Sequence, residues 1–211
     1  MPMESLAPMV YLVDDDPDVL KAIDRLLQSA GLRVVTFLSP RQFLEDHDRD
    51  APACLVLDLE LPGLSGLELQ RTLEQEASAL PIIFLTGRGN IASSVQAMKH
   101  GAVDFLTKPV DDADLIAAIR DALARSQALR LLRSERDRAQ KSLSSLTERE
   151  RQVLERIVAG RLNKQIAAEL GTSEKTVKFH RGNLMRKMGV RVVADLVKVA
   201  QRAGVGSTSK V

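Results

Sequence analysis

The chain has 211 residues and a net charge of only +2, but its charge is divided unevenly. Residues 1–123 carry 20 acidic and 10 basic side chains, whereas residues 124–211 carry 8 and 20. One cysteine excludes a disulfide framework, and no apolar run approaches the roughly 20 residues that cross a bilayer. We therefore expect a cytoplasmic protein of two domains with no membrane anchor, whose basic half suits nucleic acid, although charge alone also fits a solvated surface.

The acidic half alternates short apolar, β-branched runs with longer segments of helical periodicity. The pattern predicts strands at 9–13, 33–37, 53–57, 82–85 and 103–106, and helices at 18–30, 40–46, 66–75 and 91–100. This alternation is typical of a doubly wound α/β fold, in which helices cover both faces of a parallel sheet. Asp16 precedes Pro17 as an N-cap would, so Asp16 is expected to be structural.

A fifth helix is predicted to begin at Asp111 and to continue beyond its domain as a helical linker. Its apolar stripe, which includes Leu115 and Leu123, fades before the charged run at 133–138, where helix-forming residues persist. We expect the linker to cover 124–145. Its leucines leave open a short coiled-coil contact between two copies of the chain.

Strand patterns end before residue 146, and helical periodicity takes their place. It predicts four helices, at 147–158, 163–170, 173–188 and 192–202. Thr147 and Glu150 have the spacing of a capping box, and two short helices joined by a glycine turn predict a helix-turn-helix. The domains are thus expected at 1–123 and 146–203, followed by a disordered tail at 204–211.

Polar side chains stand where four of the predicted strands end. They are Asp14, Asp15, Asp58, Thr86 and Lys108. Because the carboxyl ends of neighbouring parallel strands converge on one crevice, we expect these side chains to lie close together. Crowded carboxylates repel unless a cation is present, and Mg²⁺ suits a site with few carboxylates and room for a phosphate. Asp58 could then attack a phosphoryl group, with Lys108 and Thr86 binding its oxygens.

Each of these residues also has a structural explanation when it is taken alone. Acidic residues after a strand commonly cap the next helix, Thr86 and Gly87 could form a turn, and Lys108 could lie in an exposed loop. Their joint placement at four strand ends is what favours a functional crevice.

These residues resemble those of a two-component response regulator of the FixJ/NarL type. The resemblance covers residues 9–123 through Val13-Asp14-Asp15, Leu57-Asp58, Pro62-Gly-Leu-Ser-Gly66, Thr86-Gly87, the segment 97–102 and Lys108-Pro109. It implies a flavodoxin-like receiver domain with sheet order 2-1-3-4-5. It also implies phosphorylation of Asp58 by a partner histidine kinase, and homodimerisation when phosphorylated.

The resemblance further assigns roles to individual residues. Mg²⁺ would be bound by Asp15, Asp58 and the backbone carbonyl of Glu60, with Asp14 acting largely through water. Thr86 and Phe105 would be the switch pair, and Lys108 would bind the phosphoryl group before a cis Pro109. Arg88 and Asn90 stand where relatives often have histidine and aspartate, so the start of the fourth helix is expected to differ. The dimer surface would comprise 91–101 and 103–106.

The basic half resembles the LuxR-type helix-turn-helix over residues 146–200. The motifs are Leu146-Thr-Glu-Arg-Glu150, Gly160, Asn163-Lys-Gln-Ile-Ala167, Leu170 and Thr176-Val-Lys-Phe-His180. On a helix from Ser173, one stripe is apolar, comprising Val177, Leu184 and Met188. The opposite stripe comprises Lys175, Lys178, Phe179, Gly182 and Arg186, and it suits the major groove of double-stranded DNA.

We expect Lys178 and Phe179 to contact bases, while Lys164, Lys175, Arg181 and Arg186 bind phosphates. A merely solvated lysine face is the alternative, and His180 is expected to pack rather than to contact DNA. Gly182 is unusual, because a glycine inside a helix costs about 1 kcal/mol relative to alanine.

The sequence therefore predicts a phosphorylation-controlled, DNA-binding regulator rather than an enzyme. By resemblance, it would activate transcription with RNA polymerase as a further partner. Two alternatives stay open: a DNA-binding regulator that works without phosphorylation, and an aspartate-nucleophile phosphohydrolase, which leaves the basic helices unexplained.

Overall fold

The computed structural model describes residues 8–49, 51–87 and 91–205. The chain divides into two compact units, Met1–Arg130 and Leu131–Val211. The division falls inside one long helix, so each unit is described separately below.

The N-terminal unit contains a parallel sheet of five strands. The strands are β1 (Met9–Val13), β2 (Arg33–Phe37), β3 (Ala53–Leu57), β4 (Ile82–Thr86) and β5 (Asp104–Thr107). Their order is β2-β1-β3-β4-β5, which confirms the predicted order. β3 and β4 are buried along their whole length, which explains why they are continuous apolar runs rather than alternating ones. β4 extends one residue further than predicted because Thr86 pairs with Thr107.

Helices cover both faces of this sheet, which confirms the doubly wound architecture. They are α1 (Pro17–Ser29), α2 (Pro40–Asp46), α3 (Gly66–Gln75), α4 (Ile91–Lys99) and α5 (Asp112–Ser144). One core includes Phe43, Leu69 and Ala97 from α2, α3 and α4. The other includes Leu27 and Leu115 from α1 and α5. Alternate side chains of each strand enter opposite cores, as the two-residue period of a strand requires.

Two further side chains in this unit have structural roles, and for Asp16 this confirms the prediction. The Asp16 side chain accepts hydrogen bonds from the backbone N–H groups of Asp18 and Val19, so Asp16 is the N-cap of α1. Cys54 is fully buried, and burial raises the pKa of its thiol to about 12, as expected of a structural cysteine.

The C-terminal unit is helical over the residues that are described. Its helices are α6 (Glu148–Val158), α7 (Asn163–Glu169), α8 (Glu174–Lys187) and α9 (Val193–Arg202), as predicted to within one or two residues at each end. The capping box of Thr147 and Glu150 is present at the start of α6. The core is formed by apolar side chains from all four helices, among them Val153, Ile166, Val177 and Leu196.

The predicted linker is helical, because α5 continues without interruption to Ser144. Its last residues are not merely connecting, since Leu143 lies in the core of the C-terminal unit together with Leu146. The domain limits drawn from the sequence stay predictions, and most of the tail, at 206–211, lies outside the described residues. Within the described residues, no helix combines the length and apolar character needed to cross a membrane.

Candidate functional site

Three carboxylates meet at the carboxyl edge of the sheet. One oxygen each from Asp14, Asp15 and Asp58 lies within 4.8 Å of the others. Asp14 and Asp15 follow β1 directly, and Asp58 follows β3, its neighbour in the sheet. Asp14 is buried, Asp58 is half-buried and Asp15 is exposed, so the cluster opens to solvent on one side.

Backbone contacts fix the position of Asp58. Its N–H donates to the carbonyl of Val13 at 2.9 Å, which holds the ends of β1 and β3 together. Its carboxylate oxygen Oδ1 accepts a hydrogen bond from the N–H of Leu59 at 2.6 Å. Gly66, the first residue of α3, approaches closely: a Cβ built at this position would lie 2.3 Å from the carbonyl oxygen of Asp58. The loop that carries Asp58 therefore requires glycine at this point.

Lys108 supplies the positive charge of the cluster. Its ammonium Nζ lies 2.5 Å from Oδ2 of Asp14 and 3.3 Å from Oδ2 of Asp58. Burial alone would lower the pKa of Lys108, but hydrogen bonds and the charges of both aspartates outweigh burial, so the pKa is raised. The peptide bond between Lys108 and Pro109 is cis, which confirms that prediction.

Thr86 and Phe105 lie on β4 and β5, the next two strands beyond β3 in the sheet. Thr86 ends β4, its side chain is buried, and its carbonyl accepts the backbone N–H of Lys108 at 2.8 Å. Phe105 is half-buried on β5 beside Phe84, with 5.9 Å between the ring centroids. The structure thus places Thr86 at the crevice and Phe105 two residues before the end of the neighbouring strand.

The crevice has the chemistry of a cation site. Three carboxylates against one ammonium leave negative charge uncompensated, and carboxylate oxygens are the ligands that hard divalent cations prefer. The donor set therefore fits a divalent cation. Glu60 follows two residues after Asp58, and its carbonyl stays a predicted ligand.

The predicted DNA-binding face lies on α8 and on the start of α7. The apolar stripe of α8 is buried as predicted, since Val177, Leu184 and Met188 all lie in the core. The opposite side chains are exposed, namely Lys175, Lys178, Phe179 and Arg186, together with Lys164 on α7. Phe179 is 64% exposed, an unusual position for an aromatic residue on a cationic surface.

Two of the predicted phosphate-binding arginines also have partners inside the unit. The guanidinium of Arg181 is half-buried and donates to Oδ1 of Asn163 at 3.3 Å, which connects α8 to the start of α7. Arg186 donates to the side chain of Asn183 on the same helix. His180 is half-buried, in agreement with a packing role. Space around Gly182 is open, so no packing within the unit explains it.

The C-terminal end of α8 forms an ion pair that the sequence does not predict. The ammonium of Lys187 lies 2.7 Å from Oε2 of Glu150 and donates to the carbonyl of Ser145 at 3.0 Å. Burial alone would raise the pKa of Glu150, but the hydrogen bonds from Lys187 and Thr147 outweigh burial and lower the pKa. The capping box marked Glu150 in the sequence, but no local pattern marked Lys187 as its partner.

A second missed residue is Gln70 on α3, whose buried side chain amide donates to the backbone of the α4 end. Its only sequence signal is a polar residue beside the apolar stripe of α3. The predicted departures at Arg88 and Asn90 lie outside the described residues.

Two protein-family models match the chain over most of its length. The response regulator receiver domain model matches residues 10–120, and the model of bacterial regulatory proteins of the luxR family matches residues 144–200. The chain belongs to the response regulator family. The receiver match contains the acidic crevice, and the LuxR match contains α6, α7, α8 and most of α9.

The similarity to individual relatives extends over nearly the whole of this chain. This chain is 45% identical over 200 residues to the response regulator protein TodT of Pseudomonas putida, and the alignment covers 95% of this chain and 88% of TodT. It is 42% identical to the transcriptional regulatory protein FixJ of Azorhizobium caulinodans, covering 93% of each chain. The solved structure of the response regulator StyR is 44% identical and superimposes with a TM-score of 0.86, covering 93% of this chain and 99% of StyR.

These relatives are transcriptional regulators rather than enzymes, so the phosphohydrolase alternative loses its support. The response regulator regulates transcription within a phosphorylation-dependent two-component system. Its domain pair implies a histidine kinase as the source of the signal and DNA as the target.

Proposed function

We propose that Asp58 accepts a phosphoryl group from a histidine kinase and that this modification controls dimerisation and DNA binding. The observation that carries the proposal is the position of the Asp58 carboxylate, within 4.8 Å of Asp14 and Asp15 and 3.3 Å from the Lys108 ammonium. A nucleophilic carboxylate beside a cation site and a lysine is suited to phosphoryl transfer.

In the proposed transfer, one oxygen of Asp58 forms the new bond to phosphorus. The phosphorus–nitrogen bond of the donor phosphohistidine breaks, and its electron pair stays on the donor imidazole. Lys108 is within reach of both Asp14 and Asp58, so a small movement of its ammonium would bring it to an oxygen of the bound phosphoryl group. During the transfer, the N–H of Leu59 keeps the Asp58 carboxylate in place, and the Asp14 carboxylate stays in reach of the Lys108 ammonium.

We propose Mg²⁺ as the cation of this site, held by Asp15, Asp58 and the carbonyl of Glu60, with Asp14 acting largely through water. When bound, Mg²⁺ would offset the negative charge of the transferring oxygens. The exposed carboxylate of Asp15 and the half-buried one of Asp58 leave this side of the cluster open to a phosphodonor.

Phosphorylation replaces the single negative charge of the Asp58 carboxylate with a phosphoryl group that carries roughly −1.5 to −2 units of charge at pH 7. We propose that the Thr86 hydroxyl moves towards this charge and that the Phe105 ring follows. The exposed apolar side chains of α4, Ile91, Val95 and Met98, together with β5, would then form the homodimer surface. Burying apolar surface of this kind favours association.

For the output, we propose that two copies of α8 enter successive major grooves of a paired DNA site. Lys178 and Phe179 would contact base edges, with the exposed Phe179 ring suited to a thymine methyl group. Lys164, Lys175, Arg181 and Arg186 would bind phosphates. We further propose activation through contact with RNA polymerase, and domain limits at 1–123, 124–145 and 146–203.

Mass spectrometry of the intact response regulator tests the proposal directly. Incubation with Mg²⁺ and acetyl phosphate should add one phosphoryl group, shift the protein towards a dimer in light scattering, and raise its affinity for DNA. Asp58→Asn should abolish all three changes, whereas Asp121→Asn, a matched change on the exposed side of α5, should abolish none.

Retained labelling in Asp58→Asn would contradict the assignment of the phosphoacceptor. Labelling that leaves the oligomeric state and the DNA affinity unchanged would favour the alternative in which the DNA-binding half works without phosphorylation.

A further inference from the structure

A buried glutamine connects α3 to the C-terminal end of α4. Gln70 is 2% exposed, and its side-chain Nε2 donates to the carbonyl of Ala97 at 3.0 Å and to the carbonyl of His100 at 3.2 Å. Carbonyl oxygens only accept hydrogen bonds, so the nitrogen of the amide must face them. The orientation of this side chain is therefore determined by its partners.

The other end of the same amide is not satisfied. Within the described part of the chain, Oε1 of Gln70 is buried without a hydrogen-bond partner. Leaving this buried acceptor unpaired costs stability, which the two hydrogen bonds from Nε2 to the end of α4 offset. Gln70 therefore contributes mainly a defined contact with α4.

The packing of α4 is concentrated at the same end. Among its described residues only Ala97 is buried, whereas Ile91 is 84% exposed and Val95 is 45% exposed. A second contact lies nearby, because Nδ1 of His100 is 3.0 Å from Oε2 of Glu74 on α3. The N–H of Ala102 also donates to the carbonyl of Ala97 at 3.1 Å, which closes the helix end.

We infer that Gln70 is a positioning residue that anchors the C-terminal end of α4, so that the helix pivots about this end when the receiver domain responds. The N-terminal end of α4 is the end nearer in sequence to Thr86, and none of its described residues before Ala97 is fully buried. A pivot of this kind converts a small change at the crevice into a larger displacement of the exposed apolar side chains of α4. The inference rests on the proposed phosphorylation of Asp58 for the movement, but the anchor itself does not depend on it.

Hydrogen exchange on the full-length response regulator tests both parts. In the protein without phosphodonor, Gln70→Leu should speed exchange of the amides at 97–102 up to about 25-fold, because two hydrogen bonds to this segment are lost, each worth roughly a factor of five. In the unmutated protein, acetyl phosphate with Mg²⁺ should change exchange at 91–95 while leaving 97–102 nearly unchanged.

Gln75→Leu is the matched control, because Gln75 lies on the same helix but is exposed. It should leave exchange at 97–102 as it is. If Gln70→Leu does not fold, Gln70→Met removes the same donor with a more adaptable side chain. Circular dichroism at rising urea concentration separates a local effect on α4 from a loss of overall stability.

Normal exchange at 97–102 in both Gln70 variants would overturn the anchor. A phosphodonor effect at 97–102 as large as that at 91–95 would overturn the pivot. Absence of phosphoryl labelling in the intact mass would instead refute the proposed phosphorylation, while the comparison without phosphodonor would still decide the anchor.

Discussion

Replacing Gly66 by alanine tests how tightly the loop after β3 is held. A Cβ at this position would lie 2.3 Å from the carbonyl oxygen of Asp58 and 3.1 Å from both the Cα of Leu59 and the Cε1 of Phe84. Real Cβ atoms essentially never come closer than 3.0 Å, so the loop or α3 must move by at least 0.7 Å, the difference between the two distances. Two of these neighbours are backbone atoms, which cannot rotate away.

The displacement should cost both stability and phosphorylation. Overpacking of a tight site typically costs about 1–3 kcal/mol, and this site also contains the hydrogen bond from the N–H of Gly66 to the carbonyl of Leu59, 3.0 Å long. The same movement displaces the N–H of Leu59, which orients the Asp58 carboxylate. Misplacement of a reacting group by about 1 Å can lower a rate about 100-fold, so we expect phosphorylation at least tenfold slower.

Tyr11 makes the stability measurement specific to the receiver domain. It is the single tyrosine, the chain has no tryptophan, and it is buried on β1. Urea denaturation followed by tyrosine fluorescence therefore reports unfolding of this unit alone, and intact-mass spectrometry follows phosphorylation by acetyl phosphate. Gly182→Ala is the matched control, because nothing lies within 4 Å of its added Cβ. It should leave the tyrosine transition and the phosphorylation rate unchanged. Urea denaturation followed by far-UV circular dichroism should show that it stabilises the C-terminal unit by about 0.5–1 kcal/mol.

We therefore expect the same substitution to change the free energy of unfolding in opposite directions, with Gly66→Ala destabilising its unit and Gly182→Ala stabilising the other. If Gly66→Ala were as stable as the unmutated protein and were phosphorylated at the same rate, the loop would be adaptable. The argument that glycine is required to position Asp58 would then be wrong.

Three further predictions concern the ion pair of Glu150, the proposed cation site and the DNA-binding face. Burial alone would raise the pKa of Glu150, but the hydrogen bond from Lys187 outweighs burial, so the pKa lies below its ordinary value of 4.5. The ionised Glu150 carboxylate therefore stabilises the folded unit fully above pH 4.5. This stabilisation is lost as the pH falls through the lower pKa of the folded state. Urea denaturation followed by circular dichroism should therefore show a smaller loss of stability below pH 4.5 in Glu150→Gln than in the unmutated protein, and equal losses would refute the assignment. Asp15→Asn should raise the Mg²⁺ concentration for half-maximal phosphorylation about tenfold, because one charged oxygen ligand is removed; an unchanged Mg²⁺ dependence would exclude Asp15 as a ligand. Fluorescence anisotropy with DNA should show that Lys164→Ala lowers the slope of log affinity against log salt by about 1 without altering sequence preference. Phe179→Ala should instead reduce the preference at one base pair. The reverse pattern would make Lys164 the base contact and Phe179 the backbone contact.

The strands and the crevice could be predicted because their signals are local. Each strand is a short apolar run, and each functional side chain follows one of these runs directly, as Asp58 follows β3 and Lys108 follows β5. Parallel topology then brings strand ends together without any knowledge of side-chain contacts. The same holds for Val177 and Leu184, whose spacing alone placed them on the buried side of α8.

Contacts between distant segments could not be predicted in this way. Lys187 has the same residue type as the exposed lysines of α8, and nothing in its neighbourhood distinguishes a lysine that binds Glu150 from one that faces solvent. The apolar residues in the last turns of α5 are sparse, so the sequence predicts only a linker there. Leu143 is nevertheless buried, since a single leucine suffices when the partner helices supply the remaining apolar surface.

Gln70 shows why such residues carry information about mechanism. A polar side chain beside an apolar helix stripe has two explanations, a surface position or a buried partner, and the stripe alone does not separate them. Its partners are backbone carbonyls of Ala97 and His100, which every residue possesses and which therefore leave no trace in the sequence of α4. A hydrogen bond to backbone fixes where a helix end lies without constraining which side chains the helix presents. The exposed face of α4 can therefore change with its partner while the position of its C-terminal end is kept by one residue of α3.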